Sequence, residues 1–181
     1  EHNVLNATAA LLAGAALGVG LPEMAAGLAS FTGTARRFEE RGRVGSRRLF
    51  DDYAHHPTEV AAALRQARVV AGAGGVTVVF QPHLYSRTRI FAARFAEALA
   101  AADHVVVTDV YAAREDPEPG VDSTLITSAL PGSLHVPDMH EAARTGAGLV
   151  DEGGILITMG AGSITSCGAD VLEFWRRGEA Q

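Results

Sequence analysis

The chain has 181 residues, 48% of them hydrophobic and 20% charged, enough apolar material for one substantial core with a smaller attached piece. A formal net charge of −6 gives no electrostatic reason to expect nucleic acid or an anionic membrane surface as partner. The single cysteine, Cys167, excludes an internal disulfide framework, fits a reducing compartment and reads as a small buried hydrophobe.

The chain opens Glu1-His2-Asn3 directly before a helical pattern, an opening expected of a fragment of a longer protein. The longest uncharged run, 7–20, has 14 residues, too few to span a bilayer, and no basic segment precedes it as in a signal peptide. Val4, Leu5, Ala9, Leu12, Ala13 and Ala16 recur at helical spacing until the glycines at 18 and 20 stop them. Asn3 and Asn6 fall on one face of this helix, where two amides either present paired donors and acceptors to a planar ring or serve as a cap and a solvated position. A second short helix runs over 21–31 with Pro22 in its first turn, and Gly33-Thr34-Ala35 reads as a linker.

From residue 36 onward strand-like and helical runs alternate. Strands are expected over 36–44, 47–53, 75–80, 104–110, 134–136 and 154–159, with helices over 57–71, 86–101, 123–130, 139–150 and 164–177. Near-continuous apolar strands separated by helices predict an α/β, three-layer Rossmann-like domain with a mostly parallel sheet. No helix separates the first two runs, so an antiparallel hairpin is expected at the start of the domain, through the turn at 43–46.

The segment Asp51-Asp52-Tyr53-Ala54-His55-His56-Pro57-Thr58-Glu59-Val60 leaves the second strand and enters a helix. Pro57 suits the first helical turn, Thr58 is placed to cap free N–H groups, and Glu59 favours the positive helix end. In open α/β sheets ligands gather where strands hand over to helices. Three further strand ends carry similar chemistry: 81–89, with His83, Arg87 and Arg89; 109–116, with Asp109, Tyr111, Arg114, Glu115 and Asp116; and Gly160-Ala161-Gly162-Ser163. Arg87 and Arg89 stand at a helix N-terminus, where a cation is disfavoured unless an anion accompanies it, and both suit forked bonds to carboxylate or phosphate. Gly160-Ala161-Gly162-Ser163 lacks the third glycine of a dinucleotide loop and reads as a tight turn rather than a phosphate cradle. Adjacent His55 and His56 diverge, and His83 brings no spaced Cys/His partners, so no protein-ligated metal is expected.

Five segments carry a resemblance in chain order. They are His2-Asn3-Val4-Leu5-Asn6-Ala7-Thr8-Ala9-Ala10, Gly33-Thr34-Ala35-Arg36-Arg37-Phe38-Glu39, the 51–60 segment, Gln81-Pro82-His83-Leu84-Tyr85-Ser86-Arg87-Thr88-Arg89 and Gly160-Ala161-Gly162. Together they resemble the C-terminal part of the Mur ligases, and the 81–89 segment is similar to that of the alanine-adding branch. The resemblance implies that residues 1–32 are the last helices of a central ATP-binding domain and 33–181 the amino-acid-receiving C-terminal domain. It also implies that an N-terminal UDP-sugar domain and most of the central domain lie outside this sequence, which contains no G-x-x-G-K-[ST] run.

The implied activity is cytoplasmic and ATP-dependent, joining L-alanine to UDP-N-acetylmuramic acid through an acyl phosphate, with Mg2+ held mainly by the absent domain and the fragment alone inactive. Carried over by motif, Asn3, Asn6, Arg37, Asp52 and His55 are the ATP-binding residues; Tyr53, His56, His83, Arg87 and Arg89 are the substrate-binding residues; and Arg37, His56 and His83 are the catalytic candidates. Many relatives have a basic residue where Leu84 stands. A freestanding nucleotide or amino-acid binding module and the related muropeptide-recycling ligase are the alternative readings.

Overall fold

Two consecutive strands, Glu39–Val44 (β1) and Arg47–Asp52 (β2), pair antiparallel through a turn where Gly45 adopts φ +55. Positive φ at such a tight connection costs a residue without Cβ little. β1 starts three residues later than the apolar pattern predicts, because Arg36 and Phe38 both take positive φ, 57 and 51, which breaks the extended backbone before Glu39. The other four strands, Val76–Phe80 (β3), His104–Val107 (β4), Leu134–His135 (β5) and Ile155–Met159 (β6), join β2 in parallel. The resulting order is β1-β2-β6-β3-β4-β5. The expected mostly parallel sheet with an initial antiparallel hairpin is the observed one.

In a parallel sheet the side chains alternate between two buried faces. Phe50, Val78, Phe80, Ile155 and Ile157 pack under Pro57–Ala71 (α3), Tyr85–Leu99 (α4) and the single turn Thr124–Thr127 (α5). Leu49, Val79, Val106 and Leu156 face the opposite way, against Met139–Gly148 (α6), the 3-10 helix Ser163–Cys167 and Gly168–Glu179 (α7). Gly146 lets α6 lie close on the sheet: a Cβ there would stand 2.6 Å from Val79 Cγ2. The run expected as one helix over 164–177 is thus divided, a tight first turn preceding the α-helix. β4 ends at Val107, yet Thr108 N–H still donates to Phe80 O (3.0 Å) before the chain leaves the sheet.

The computed structural model describes residues 2–179 and divides after Thr34 into two compact units. The first contains His2–Ala16 (α1) and Leu21–Ser30 (α2). Its apolar stripe does not become a core: Val4, Leu5 and Leu12 are 68%, 63% and 68% exposed, and α2 buries no residue. Two helices alone offer no third layer to cover such a face. Asn3 and Asn6 are exposed on α1. No helix of the described residues is long and apolar enough to cross a membrane.

Candidate functional site

Because β2, β6, β3 and β4 run parallel, their C-terminal ends open on one rim of the second unit. Two aspartates end β2, and both are buried. Asp51 accepts from Arg36 Nε (3.0 Å), Thr165 Oγ1 (2.8 Å) and Thr158 Oγ1 (2.8 Å), tying the entry of the domain to β6 and to the turn after it. Asp52 accepts the backbone N–H of Phe38 and of Ala54, each at 2.8 Å. Burial raises its pKa above the ordinary carboxylate value; those two backbone bonds and Arg37 oppose the rise. Each of its oxygens keeps one lone pair for a further donor.

Tyr53 stands at the centre of a cationic aromatic cluster. The Arg36 guanidinium lies 4.9 Å and that of Arg37 5.6 Å from its ring centroid, and His55 meets it edge-on at 5.2 Å. His55 in turn contacts His83 at 5.9 Å, and Tyr111 stacks on His83 at 5.7 Å with the rings 19° apart. The rim therefore carries a continuous chain of rings, Tyr53, His55, His83 and Tyr111, contributed by the ends of β2, β3 and β4. His56 turns away from this line and packs against Phe91 of α4.

Hydrogen-bond chemistry assigns the three imidazoles different faces. Arg87 Nη1 lies 3.2 Å from His83 Nδ1; a guanidinium only donates, so Nδ1 accepts and the proton of neutral His83 sits on Nε2. His55 Nδ1 lies 2.9 Å from Tyr53 O, so it donates and leaves Nε2 with a lone pair. His56 Nδ1 accepts Thr58 N–H (3.3 Å) and serves as the N-cap of α3, while the Glu59 carboxylate receives the His56 N–H (3.2 Å), completing a capping box. The cap is thus His56, not Thr58, whose side chain is exposed. Glu59 also accepts His55 N–H; burial would raise its pKa, but the His55 N–H bond and the neighbouring cations outweigh that and hold it below the ordinary value.

Desolvation, the Arg87 charge and His55 depress the pKa of His83 below 6.5. Between the depressed and the ordinary value the unfolded chain binds a proton that the folded one refuses, so stability rises with pH across that window and flattens above it. His83→Gln is expected to reduce the rise of stability with pH on the acid side of the ordinary histidine value of 6.5, read from denaturation midpoints. An unchanged slope would mean that His83 titrates alike in both states.

The arginines divide by partner. Among the described residues neither Arg37 nor Arg87 pairs with a carboxylate, which leaves two cations free at the rim. Arg89 is exposed and held by Glu118 at 3.0 Å. Arg36, which sequence reasoning passed over beside Arg37, is the structural member: besides Asp51 it donates to Gly160 O (2.6 Å). Gln81 and Tyr111 also escaped notice as organisers. Gln81 accepts Ile164 N–H (3.1 Å), and a Cβ at Gly162 would stand 2.6 Å from Tyr111 Cγ. The Gly160–Gly162 turn is therefore small in order to pack against Gln81 and Tyr111. Its carbonyl at 160 faces Arg36 and its Gly160 N–H bonds Asp52 O (3.0 Å), so these groups are not a free amide cradle for phosphate.

Among the described residues, the set of His, Cys and acidic side chains close enough to share an ion is His140, Cys167 and Asp170, on the α6 and α7 face. Its atoms are already engaged: His140 Nδ1 bonds Asp170 (2.8 Å), Arg144 adds a second contact to that carboxylate (3.4 Å), and burial pushes the Cys167 thiol up to about 11. Among the described residues the rim itself brings no comparable set together: Asp51 is spent on Arg36 and two threonines, and Asp52 already carries two backbone N–H bonds.

Residues 36–162 match the model of the Mur ligase glutamate ligase domain. The chain is 55% identical over 176 residues to a UDP-N-acetylmuramate–L-alanine ligase of Kineococcus radiotolerans, covering 95% of this chain and 37% of that protein. To the same-named protein of Saccharopolyspora erythraea it is 54% identical over 178 residues, covering 95% and 36%. The crystal structure of a UDP-N-acetylmuramate-alanine ligase from Thermotoga maritima superposes with a TM-score of 0.75 at 29% identity, over 99% of this chain and 38% of that one. A murein peptide ligase from Psychrobacter arcticus, at 23% identity, shares the fold with a TM-score of 0.71. The chain spans little more than a third of the length of the curated relatives it matches. It belongs to the Mur ligase family, whose model it matches over residues 36–162.

Proposed function

We propose that this chain is the C-terminal part of a cytoplasmic ATP-dependent ligase that joins L-alanine to UDP-N-acetylmuramic acid in the synthesis of peptidoglycan precursors. The observation that carries the reading is the pair of carboxylate-free cations, Arg37 and Arg87, at a rim of imidazoles and phenols, in a chain more than 50% identical to relatives named for that reaction. Acid–amine ligation develops negative charge on transferred phosphate and on a tetrahedral centre, and fixed cations and N–H donors stabilise such charge.

In this reading the UDP-sugar carboxylate takes the terminal phosphoryl group of ATP, and the alanine amine then attacks the acyl phosphate and displaces phosphate. Arg37, exposed and next to Tyr53, reaches the phosphates. Asp52 offers its remaining lone pairs to the ribose hydroxyls, with His55 beside it, and Asn3 and Asn6 meet the adenine. Arg87 grips a carboxylate, and His83 presents its Nε2–H to the reacting oxygens. Tyr53 lines the amino-acid side. His56 supports that site as the cap of α3, and Arg89 borders it. If a histidine takes the proton of the alanine ammonium, the free Nε2 lone pair belongs to His55. In this reading Mg2+ is held mainly by a further domain; among the described residues the rim gathers no set of acidic and histidine ligands for it. The uncovered apolar stripe of α1 fits residues 1–32 being the last helices of that central domain, with Gly33-Thr34-Ala35 as the hinge of closure.

The test is phosphate release from Mg-ATP in the presence of UDP-N-acetylmuramic acid and L-alanine. The chain extended upstream to the full length of its relatives is expected to release phosphate, and the 181-residue chain to be silent. Silence of both, with ATP or an amino acid still bound by the shorter one, would make this a binding module without catalysis.

A further inference from the structure

We propose that Glu115, on the loop after β4, is a positioning residue for the His83 and Arg87 pair, acting as a cap supplied to α4 from outside the helix. This role rests on the ligase reading only for its functional consequence; the positioning itself stands on the geometry of the second unit.

α4 begins without the devices that usually start a helix. Its N-cap is Leu84, which has no side-chain acceptor, and its first turn holds no acidic residue. It carries Arg87 instead, a cation at the positive end of the helix. Leu84 also takes φ +73, a conformation a branched apolar residue adopts only when its surroundings impose it. Left to local preferences, this segment would not start a helix at Tyr85 or direct His83 and Arg87 to the same place.

The loop at 111–118 supplies what is missing. Glu115 accepts Ser86 N–H at 2.9 Å with one oxygen and the Ser86 hydroxyl with the other. It satisfies an orphan donor of the first turn and puts negative charge where the helix lacks it. Those Ser86 bonds, with Arg87 adding to them, hold the Glu115 pKa below the ordinary value, so the carboxylate stays charged. Leu84 N–H donates to Tyr111 O (2.9 Å) and Tyr111 N–H to Pro82 O (2.8 Å), a short parallel bridge that brackets His83, holds the strained Leu84 by its N–H and lays the Tyr111 ring on His83. Ala113, at φ +54, turns the loop back so that Glu115 N–H reaches Ala112 O (3.0 Å) and its side chain faces α4. Farther along, Glu118 holds Arg89 (3.0 Å). One loop thus fixes the start of α4, the plane of His83 and the separation of Arg89 from Arg87.

The experiment compares Glu115→Ala and Glu115→Gln with the parent, in the chain extended to the full length of its relatives. Two readouts are needed, the steady-state constants for each substrate and the NMR resonances of the His83 ring. Loss of the cap is expected to raise KM for L-alanine about tenfold in Glu115→Ala, with KM for ATP within about twofold, and to shift His83 as its stacking on Tyr111 loosens. Glu115→Gln keeps one carbonyl acceptor for Ser86 and is expected to fall between, and it serves as the folded variant if the alanine form is too unstable. A merely structural role would lower the active fraction, and so apparent kcat, with every KM unchanged and His83 unmoved; that result overturns the proposal. A parent protein silent with L-alanine would count against the ligase reading alone, and the His83 resonances would still decide the role of Glu115.

Discussion

Asp51→Ala is expected to destabilise the second unit by about 3 kcal/mol, the lower end of the 3–5 kcal/mol typical of breaking a buried ion pair. The lower end applies because Arg36 is 22% exposed at its side chain and water reaches part of the guanidinium left behind, whereas Asp51 itself is 1% exposed. Thr158 keeps a partner in Phe50 O (3.3 Å), so the loss falls on Arg36 and Thr165. Asp51→Asn retains one acceptor and is expected to cost less. The measurement is urea denaturation, with a lower midpoint at unchanged m-value. A loss below about 1 kcal/mol would mean that solvent replaces the pair at no more than the usual cost of a surface contact. The same substitution leaves Arg36 held only by the carbonyls of the 160–162 turn, so a stability defect should be accompanied by loosening of its contact with the Tyr53 ring.

Arg87→Ala should behave in the opposite way. Its guanidinium has no carboxylate partner among the described residues and contributes to the fold chiefly through His83. Stability is therefore expected to stay within about 0.5 kcal/mol of the parent. Activity of the extended chain with L-alanine and UDP-N-acetylmuramic acid should fall about a hundredfold in kcat/KM, the scale of losing one charge-assisted contact to a bound carboxylate or phosphate. Arg87→Lys should recover little, because a point charge does not reproduce the fork. Removing the Arg87 charge also lifts one of the influences that depress His83, so the His83 pKa should rise. Near-parent kcat/KM in Arg87→Ala would remove Arg87 from the site.

The order of helices and strands was legible because the chain alternates uninterrupted apolar strands with amphipathic runs, and each pattern has one economical burial. The polar rim was legible for the same reason: once the strands are parallel, Asp52, His83 and Tyr111 must end on one side. Boundaries were harder. Nothing local marks the positive φ of Arg36 and Phe38, which is imposed by the Asp52 bond to Phe38 N–H and by Tyr53 N–H bonding Arg36 O (2.7 Å). The division of labour between Arg36 and Arg37 was equally hidden, since adjacent identical residues differ only in what the fold sets opposite them. The cap on α4 could not be read from its own first turn, because Glu115 stands 29 residues away. Long-range partners of this kind leave a trace in one sequence only as an absence, here a helix start that holds two arginines and no acidic residue or side-chain cap.

The most direct measurement is product identification by mass spectrometry after incubating the extended chain with Mg-ATP, UDP-N-acetylmuramic acid and isotopically labelled L-alanine. A labelled product equal in mass to the UDP-sugar plus alanine less one water, formed only with ATP and absent from the 181-residue chain alone, is the predicted result. An unmodified UDP-sugar alongside retained binding of nucleotide or amino acid would contradict the ligase assignment and leave the rim as a binding surface.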